Sequence, residues 1–177
     1  QELGVIFDTL VDAVGSGGTL AGLAFANKLY HLGKRVVGIN VCDDASFFQN
    51  RVAQITAEVA GYLGSDAVLD PGEVEVLDGY VGRGYALSRK EELDFIRDFA
   101  RLEGLVLDPV YTGKCLYGFT EEVKKGSFQT SQNVLFIQRK RILFADVTQI
   151  KADPAAPDIG IRRLGQRLQQ RGILFLP

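Results

Sequence analysis

An apolar segment that ends in a glycine-rich turn and runs straight into helix-forming residues constrains this chain more than any other feature. It reads VDAVGSGGTLAGLA over residues 11–24. Glycine lets the backbone reach positive φ and approach a ligand closely, and the free N–H groups that open a helix favour an anion. We therefore predict a strand, an anion-binding turn and a helix.

The turn departs from the two common nucleotide-binding patterns. It lacks the Lys-Ser or Lys-Thr pair of a P-loop, and Leu20 stands where the third glycine of a dinucleotide-binding turn belongs. A single phosphate is the ligand that fits best, and the alternative is a tight turn with no ligand. The candidate residues for binding the anion are Gly15, Ser16, Gly17, Gly18 and Thr19.

Composition favours one ordinary soluble domain. The chain has 177 residues, of which 46% are hydrophobic and 24% charged. The two cysteines, Cys42 and Cys115, show no metal-site spacing, so we expect buried thiols, no metal and a reducing, intracellular compartment such as the cytoplasm or the mitochondrion. There is no methionine and no signal peptide or membrane-spanning stretch, and we expect the sequence to begin inside a longer chain.

Strand and helix patterns alternate along the first 137 residues. Short apolar strands between helices predict an α/β fold with three α/β/α layers and a mostly parallel sheet. We expect the segment 65–84 to be irregular with at most one short strand. The predicted strands are 11–14, 35–41, 105–107 and 134–137, and the predicted helices are 19–32, 45–64, 89–104 and 113–125.

Capping signals and apolar spacing support two of these helices. Asp44 is placed to cap the second helix, and Ser88 with Glu91 predicts a capping box at the start of the third. Glycines at 64, 104 and 126 predict the helix ends. One buried stripe is expected on the second helix, formed by Phe48, Val52, Ile55 and Val59.

Four blocks of sequence carry a family resemblance. They are residues 14–23 (VGSGGTLAGL), 41–44 (VCDD), 82–93 (GRGYALS with EEL) and 104–118 (GLVLDPVYTGK with YG). In this order, they resemble the C-terminal part of the D-cysteine desulfhydrase and 1-aminocyclopropane-1-carboxylate deaminase family. The resemblance covers residues 1–137 and implies the tryptophan-synthase-β-like fold, which is fold type II of the pyridoxal-phosphate enzymes.

The resemblance also implies a cofactor and site residues. The cofactor is pyridoxal 5'-phosphate, with its phosphate held by the turn at 15–19. Tyr85 and Tyr111 match active-site tyrosines that handle protons, and Thr112 is expected near the ring nitrogen. By residue type alone, amphipathic core residues would be the favoured interpretation of both tyrosines, and the motifs around them reverse that order.

Two parts of the family's site have no match in this chain. These are the lysine that binds the cofactor covalently and the Ser-Asn segment that holds the substrate. The resemblance places Lys114 at the start of a helix and not at the position of the cofactor-binding lysine. The family's His-Thr-Gly-Gly turn is replaced by residues 138–141, which read QRKR. The expected activity is α,β-elimination or deamination of a small amino acid, in a homodimer when the protein is intact, with the isolated chain incomplete or inactive.

The segment 138–177 differs in composition from the rest. It holds eight basic residues against three acidic ones. We predict a divergent basic tail with a linker at 153–158 and a short amphipathic helix carrying Ile161, Leu164 and Leu168. Its arginines lack interleaved aromatic residues, so we expect neither a nucleic-acid nor a membrane partner.

Two other functions remain open from the sequence. A nucleotide-binding domain of the Rossmann type would use the same turn, with Asp43 after the second strand meeting a ribose hydroxyl. That alternative explains residues 1–44 and nothing beyond them. The other is a truncated paralogue without catalytic activity that serves as a binding partner.

Overall fold

The computed structural model describes residues 6–138 and the backbone of one further short strand, Leu174–Phe175. The strands are β1 (Thr9–Val14), β2 (Arg35–Asn40), β3 (Glu75–Leu77), β4 (Val134–Phe136) and β5 (Leu174–Phe175). The helices are α1 (Gly18–Leu29), α2 (Ala45–Leu63), α3 (Lys90–Glu103) and α4 (Thr112–Lys125), with a 3-10 turn at Pro71–Glu73.

The five strands form one sheet in the order β3-β2-β1-β4-β5. Every neighbouring pair is parallel, which confirms the predicted parallel sheet. Strand β1 is central, with Val14 beside Asn40 of β2 and Val11 beside Phe136 of β4. The chain moves from β1 to β2 and β3 on one side and returns to β4 on the other, so the strand order reverses at β1.

Helices cover both faces of this sheet, as the three-layer prediction requires. Side chains alternate between the two faces of a strand, so Val36 and Val37 point in opposite directions. Val37 packs in a cluster with residues of α3 and α4, including Phe99 and Phe119. Val36 packs in a second cluster with residues of α1 and α2.

Most predicted helix boundaries are confirmed. Asp44 caps α2, because its carboxylate accepts a hydrogen bond of 2.8 Å from the backbone N–H of Phe47. Gly64, Gly104 and Gly126 end α2, α3 and α4 in the left-handed conformation. The first helix ends three residues before the predicted Leu32, because the chain turns at His31, which has a φ of 49°.

The predicted stripe on α2 is correct in its first half. Phe48 and Val52 are buried, and the next fully buried positions are Thr56 and Ala60. Ile55 and Val59 lie at the edges of the stripe, half-buried against different apolar clusters. The buried face of α2 therefore turns gradually along its length as its neighbours change.

Two local predictions were wrong. The capping interaction of α3 lies one residue later, where the Arg89 N–H donates to Glu92 at 2.8 Å, because Glu92 is fully buried and fixed beside Gly82. Residues 105–107 form no strand. Leu107 is buried while Val106 is half exposed, and a short apolar run can belong to a buried loop as well as to a strand.

The tail contributes to the sheet through β5, which pairs with β4 over two residues. The domain boundary at residue 137 stays a prediction. The proposed linker at 153–158 and the predicted helix of Ile161, Leu164 and Leu168 lie outside the described residues. In the described part of the chain, no helix has the length and apolar character needed to cross a lipid bilayer.

Candidate functional site

The turn between β1 and α1 has the backbone geometry of an anion site at its centre. Gly17 occupies the position before α1 with a φ of 82°. Because Gly17 has no side chain, it cannot cap the first N–H groups of the helix. The helical hydrogen bonds begin with the Ala21 N–H, which donates to the Gly17 carbonyl at 2.8 Å. Backbone N–H groups at a helix start suit a phosphate. Ser16 and Gly18 beside it are exposed.

Positive φ was expected at three glycines of this turn and occurs at one. Gly15 and Gly18 have no positive φ, unlike Gly17. Gly15 is required for a different reason, because a Cβ there would overlap the ring of Tyr111. Its small size therefore permits a close approach of a predicted active-site side chain.

The two predicted tyrosines meet. The phenol oxygens of Tyr85 and Tyr111 lie 2.5 Å apart and share a hydrogen bond. Their rings are in edge contact, with centroids 5.9 Å apart and planes at 73°. Tyr85 is 54% exposed, whereas Tyr111 is half-buried and packs against the apolar cluster of α3 and α4, so the pair lies at the edge of the core and is open to solvent on the Tyr85 side.

The tyrosine pair borders an open cavity of about 490 Å³. The cavity lies where β1 and β2 end, which is the edge at which parallel α/β sheets bind ligands. Of the predicted phosphate-binding residues, Gly15 lines the cavity, while residues 16–19 do not. The lining is formed by Gly15, Cys42, Asp43, Val81, Gly84, Tyr85 and Tyr111.

Cys42, expected from the sequence to be a buried thiol, lines the cavity instead. Its thiol donates a weak hydrogen bond to the Gly15 carbonyl at 3.5 Å, and it is half-buried, unlike the fully buried Cys115. Burial, and then the neighbouring Asp43 carboxylate, raise the pKa of the Cys42 thiol. The thiol is therefore protonated at neutral pH and lines the cavity as a small, weakly polar group.

Asp108 fixes the start of α4 and with it Tyr111. One oxygen of its carboxylate accepts from the Tyr111 N–H at 2.6 Å, and the other accepts from the N–H and the hydroxyl of Thr112, at 3.0 and 2.6 Å. The buried Thr112 hydroxyl thus donates to Asp108. Its predicted place at the ring nitrogen stays a prediction. The sequence had indicated Asp108 merely as a strand end before Pro109.

Lys114 lies in the first turn of α4, as the sequence match implied. Its ammonium is fully buried and donates to the carbonyl oxygens of Val81, Gly84 and Leu87. An ammonium has three hydrogens, and these bonds use all of them. Lys114 is therefore occupied in holding the loop that carries Tyr85. Within residues 6–138, no cluster of three or more His, Cys, Asp or Glu side chains is arranged to hold a metal ion.

Comparisons with known proteins match the part of the chain that carries the resemblance described above. The family described as "Pyridoxal-phosphate dependent enzyme" matches residues 1–138. The chain is 34% identical over 138 residues to the bifunctional D-cysteine desulfhydrase/1-aminocyclopropane-1-carboxylate deaminase, mitochondrial, of Arabidopsis thaliana, which covers 77% of this chain and 33% of that protein. It is 35% identical over 134 residues to the D-cysteine desulfhydrase of Yersinia pestis (strain Pestoides F), covering 75% of this chain and 40% of that protein.

A solved structure matches as well. The crystal structure of an ACC deaminase homologue superimposes with a TM-score of 0.65 and 35% identity, covering 76% of this chain and 39% of that one. This match agrees with the parallel α/β fold of fold type II. The chain thus spans 33% and 40% of the length of the two relatives above. It belongs to the family of pyridoxal-phosphate-dependent enzymes.

Proposed function

We propose that this chain supplies the C-terminal part of the active site of a D-cysteine desulfhydrase-like lyase or deaminase. The reaction is α,β-elimination from a small amino acid, which for D-cysteine gives pyruvate, ammonia and sulfide. The observation that carries the proposal is the contact of the Tyr85–Tyr111 pair with the glycine turn through Gly15. The tyrosine pair and Gly15, the first residue of the phosphate-binding turn, thereby border the same cavity.

The residues of the turn fit the phosphate of pyridoxal 5'-phosphate. Backbone N–H groups after Gly17 would bind it, with the Ser16 and Thr19 hydroxyls as further donors. When bound, the cofactor supplies an electron sink for the pair released at the substrate α-carbon. Thr112 would lie toward the ring nitrogen, held in place by Asp108.

The tyrosine pair is suited to proton transfer at the substrate. A short hydrogen bond between two phenols lets one oxygen accept a proton while the other donates, so the pair can exchange a proton with a leaving group at the cavity edge. Cys42 and Asp43 also line the cavity and would limit the size of the substrate. The cavity of about 490 Å³ has room for a small amino acid.

The rest of the site would come from the part of the relatives that this chain does not cover. The covalently bound lysine and the Ser-Asn segment are expected in the N-terminal part of the relatives, and the intact protein is proposed to be a homodimer. The 177 residues alone should be inactive. An intracellular location, in the cytoplasm or in an organelle such as the mitochondrion, suits this chemistry.

Complementation tests this proposal. The chain is mixed with the separately produced N-terminal segment of the Yersinia pestis relative and with pyridoxal 5'-phosphate, and pyruvate and sulfide release from D-cysteine is measured. We expect the mixture to release pyruvate and sulfide faster than free cofactor does. The chain alone should release them no faster than free cofactor. Tyr111→Phe should lower turnover by about a hundredfold or more, as is usual when a general acid–base is lost, with cofactor affinity unchanged.

Tyr62→Phe is the matched control, because Tyr62 on α2 is 88% exposed and touches none of the cavity. It should leave turnover unchanged. Equal turnover for Tyr111→Phe and the unaltered chain would refute the role of the tyrosine pair. Turnover by the chain alone well above free cofactor would refute the division of the site between two segments.

A further inference from the structure

Lys114 is placed in a way that its helix alone does not explain. It is fully buried, and lysine is rarely buried without partners because removing its charge from water is costly. Its ammonium donates to the carbonyl oxygens of Val81 at 2.6 Å, Gly84 at 2.7 Å and Leu87 at 3.1 Å. All three acceptors belong to one loop, residues 81–87, so the charge is used to hold that loop.

The loop needs such an anchor. Gly82, Gly84 and Ala86 all have positive φ, at 71°, 132° and 59°, so the chain turns repeatedly over a few residues. Ala86 pays a steric cost in this conformation because it carries a Cβ. Most side chains of the loop, including Arg83 and Tyr85, are exposed and offer little apolar packing. Two turn hydrogen bonds within the loop, from the Gly84 N–H to Val81 and from the Leu87 N–H to Gly84, use two of these carbonyl groups, and the ammonium joins both to the Leu87 carbonyl.

Lys114 also connects the segment that carries Tyr111 with the loop that carries Tyr85. Lys114 follows Tyr111 by three residues, and Asp108 fixes the Tyr111 backbone at the start of the same helix. Tyr85 lies between the carbonyl groups of Gly84 and Leu87 that Lys114 binds. One short segment thus carries Tyr111 and, through the ammonium, holds the loop that presents Tyr85.

We propose that Lys114 is a positioning residue that holds Tyr85 within hydrogen-bond distance of Tyr111. A compact ammonium with three donors suits three converging carbonyl oxygens, whereas the planar fork of arginine does not. The chemical use of the pair rests on the proposed function, but its geometry does not. The two claims can therefore be tested separately.

Limited proteolysis of the full chain tests the anchor. Trypsin cleaves after Arg83, inside the loop, and after Arg51, inside α2, which serves as the internal reference. In Lys114→Met, we expect cleavage after Arg83 to rise about tenfold or more relative to cleavage after Arg51, because the loop opens locally. Leu116→Ala is the control, since Leu116 is a fully buried residue of α4 and its loss destabilises the fold without removing a loop bond.

Fluorine NMR of the chain labelled with fluorotyrosine tests the positioning. Tyr85→Phe should shift the Tyr111 resonance because the shared hydrogen bond is lost. Lys114→Met should shift it in the same direction, and Tyr85→Phe should then add nothing further. A structural role without positioning predicts instead that the two shifts add independently.

Lys114→Gln provides a second variant in case Lys114→Met does not fold. Its amide keeps two donors, so loop cleavage and the Tyr111 resonance should both take intermediate values. Cleavage after Arg83 and a Tyr111 resonance that stay as in the unaltered chain, in either folded variant, would overturn the proposal. Neither readout involves turnover, so failure of the lyase proposal would leave these results standing.

Discussion

The ring of Tyr111 lies directly against Gly15 and fills the space that a side chain at position 15 would occupy. This contact joins the turn after β1 to the start of α4, two elements separated by most of the described chain. It also links the first residue of the predicted phosphate turn with one member of the tyrosine pair. The site is therefore built from contacts across the sheet edge, and a single methyl group at Gly15 tests them.

Gly15→Ala should displace Tyr111 and break its hydrogen bond to Tyr85. The added Cβ overlaps the Tyr111 ring, and overpacking of this kind costs about 1 to 3 kcal/mol of unfolding free energy. Denaturant unfolding measures the loss, and near-ultraviolet circular dichroism reports the tyrosine environment.

Gly22→Ala is the matched control for this substitution. Gly22 lies within α1 and a Cβ there meets nothing within 4 Å, so alanine should stabilise the helix by about 0.5 to 1 kcal/mol. If Gly15→Ala were as stable as the unaltered chain with an unchanged tyrosine signal, the contact with Tyr111 would be wrong.

Acid should destabilise the fold in part through Glu122. Burial raises the pKa of this carboxyl, but hydrogen bonds from Lys125, Ser127 and Tyr80 outweigh burial and hold its pKa at about 2. Since this lies below the ordinary value of 4.5, the ionised carboxylate stabilises the fold above pH 4.5, and the stabilisation is lost as the pH falls toward 2.

Glu122→Gln should therefore flatten the decline of stability over that pH interval, and it should lower stability at neutral pH. Glu121→Gln is the control, because Glu121 pairs with Lys124 at the surface and such pairs contribute little. Urea unfolding at several pH values compares the three chains. Identical pH profiles for Glu122→Gln and the unaltered chain would contradict the assignment.

Much of the fold follows from local sequence signals. Three of the four predicted strands, the Asp44 cap and the glycine stops at 64, 104 and 126 are each determined by a few neighbouring residues, and the structure has them where expected. The errors arise where distant contacts decide. Glu92 replaces Glu91 as the capping partner because Glu92 is buried beside Gly82, and Leu107 is buried without being in a strand.

Of the predicted site residues, Gly15, Tyr85 and Tyr111 line the cavity, but their arrangement could not be predicted. The tyrosines came from the family resemblance, whereas their hydrogen bond depends on Lys114 and Asp108, whose roles involve contacts between separate segments. Cys42 has no distinctive spacing, and its place in the cavity follows only from where β2 ends. Signals of this kind cannot be obtained from spacing along the chain.

Removal of residues 139–177 should leave a cooperative unfolding transition. Strand β5 pairs with β4 over two residues, while the described members of the three apolar clusters all precede the tail. A small decrease in stability is expected from the loss of this pairing. Thermal unfolding followed by circular dichroism measures it, and loss of the cooperative transition would show that the tail is integral to the domain.

The central claim is that the turn at Gly17 binds the phosphate of pyridoxal 5'-phosphate, and equilibrium dialysis tests it most directly. The affinities of the chain for pyridoxal 5'-phosphate and for pyridoxal, which lacks the phosphate, are compared in the unaltered chain, in Gly17→Val and in Gly64→Val. Both substitutions place a β-branched residue at positive φ, at 82° and 60°, but Gly64 lies at the far end of α2. We predict preference for the phosphorylated compound in the unaltered chain and in Gly64→Val, and its loss in Gly17→Val. Equal affinity for the two compounds in the unaltered chain, or an undiminished preference in Gly17→Val, would contradict the claim.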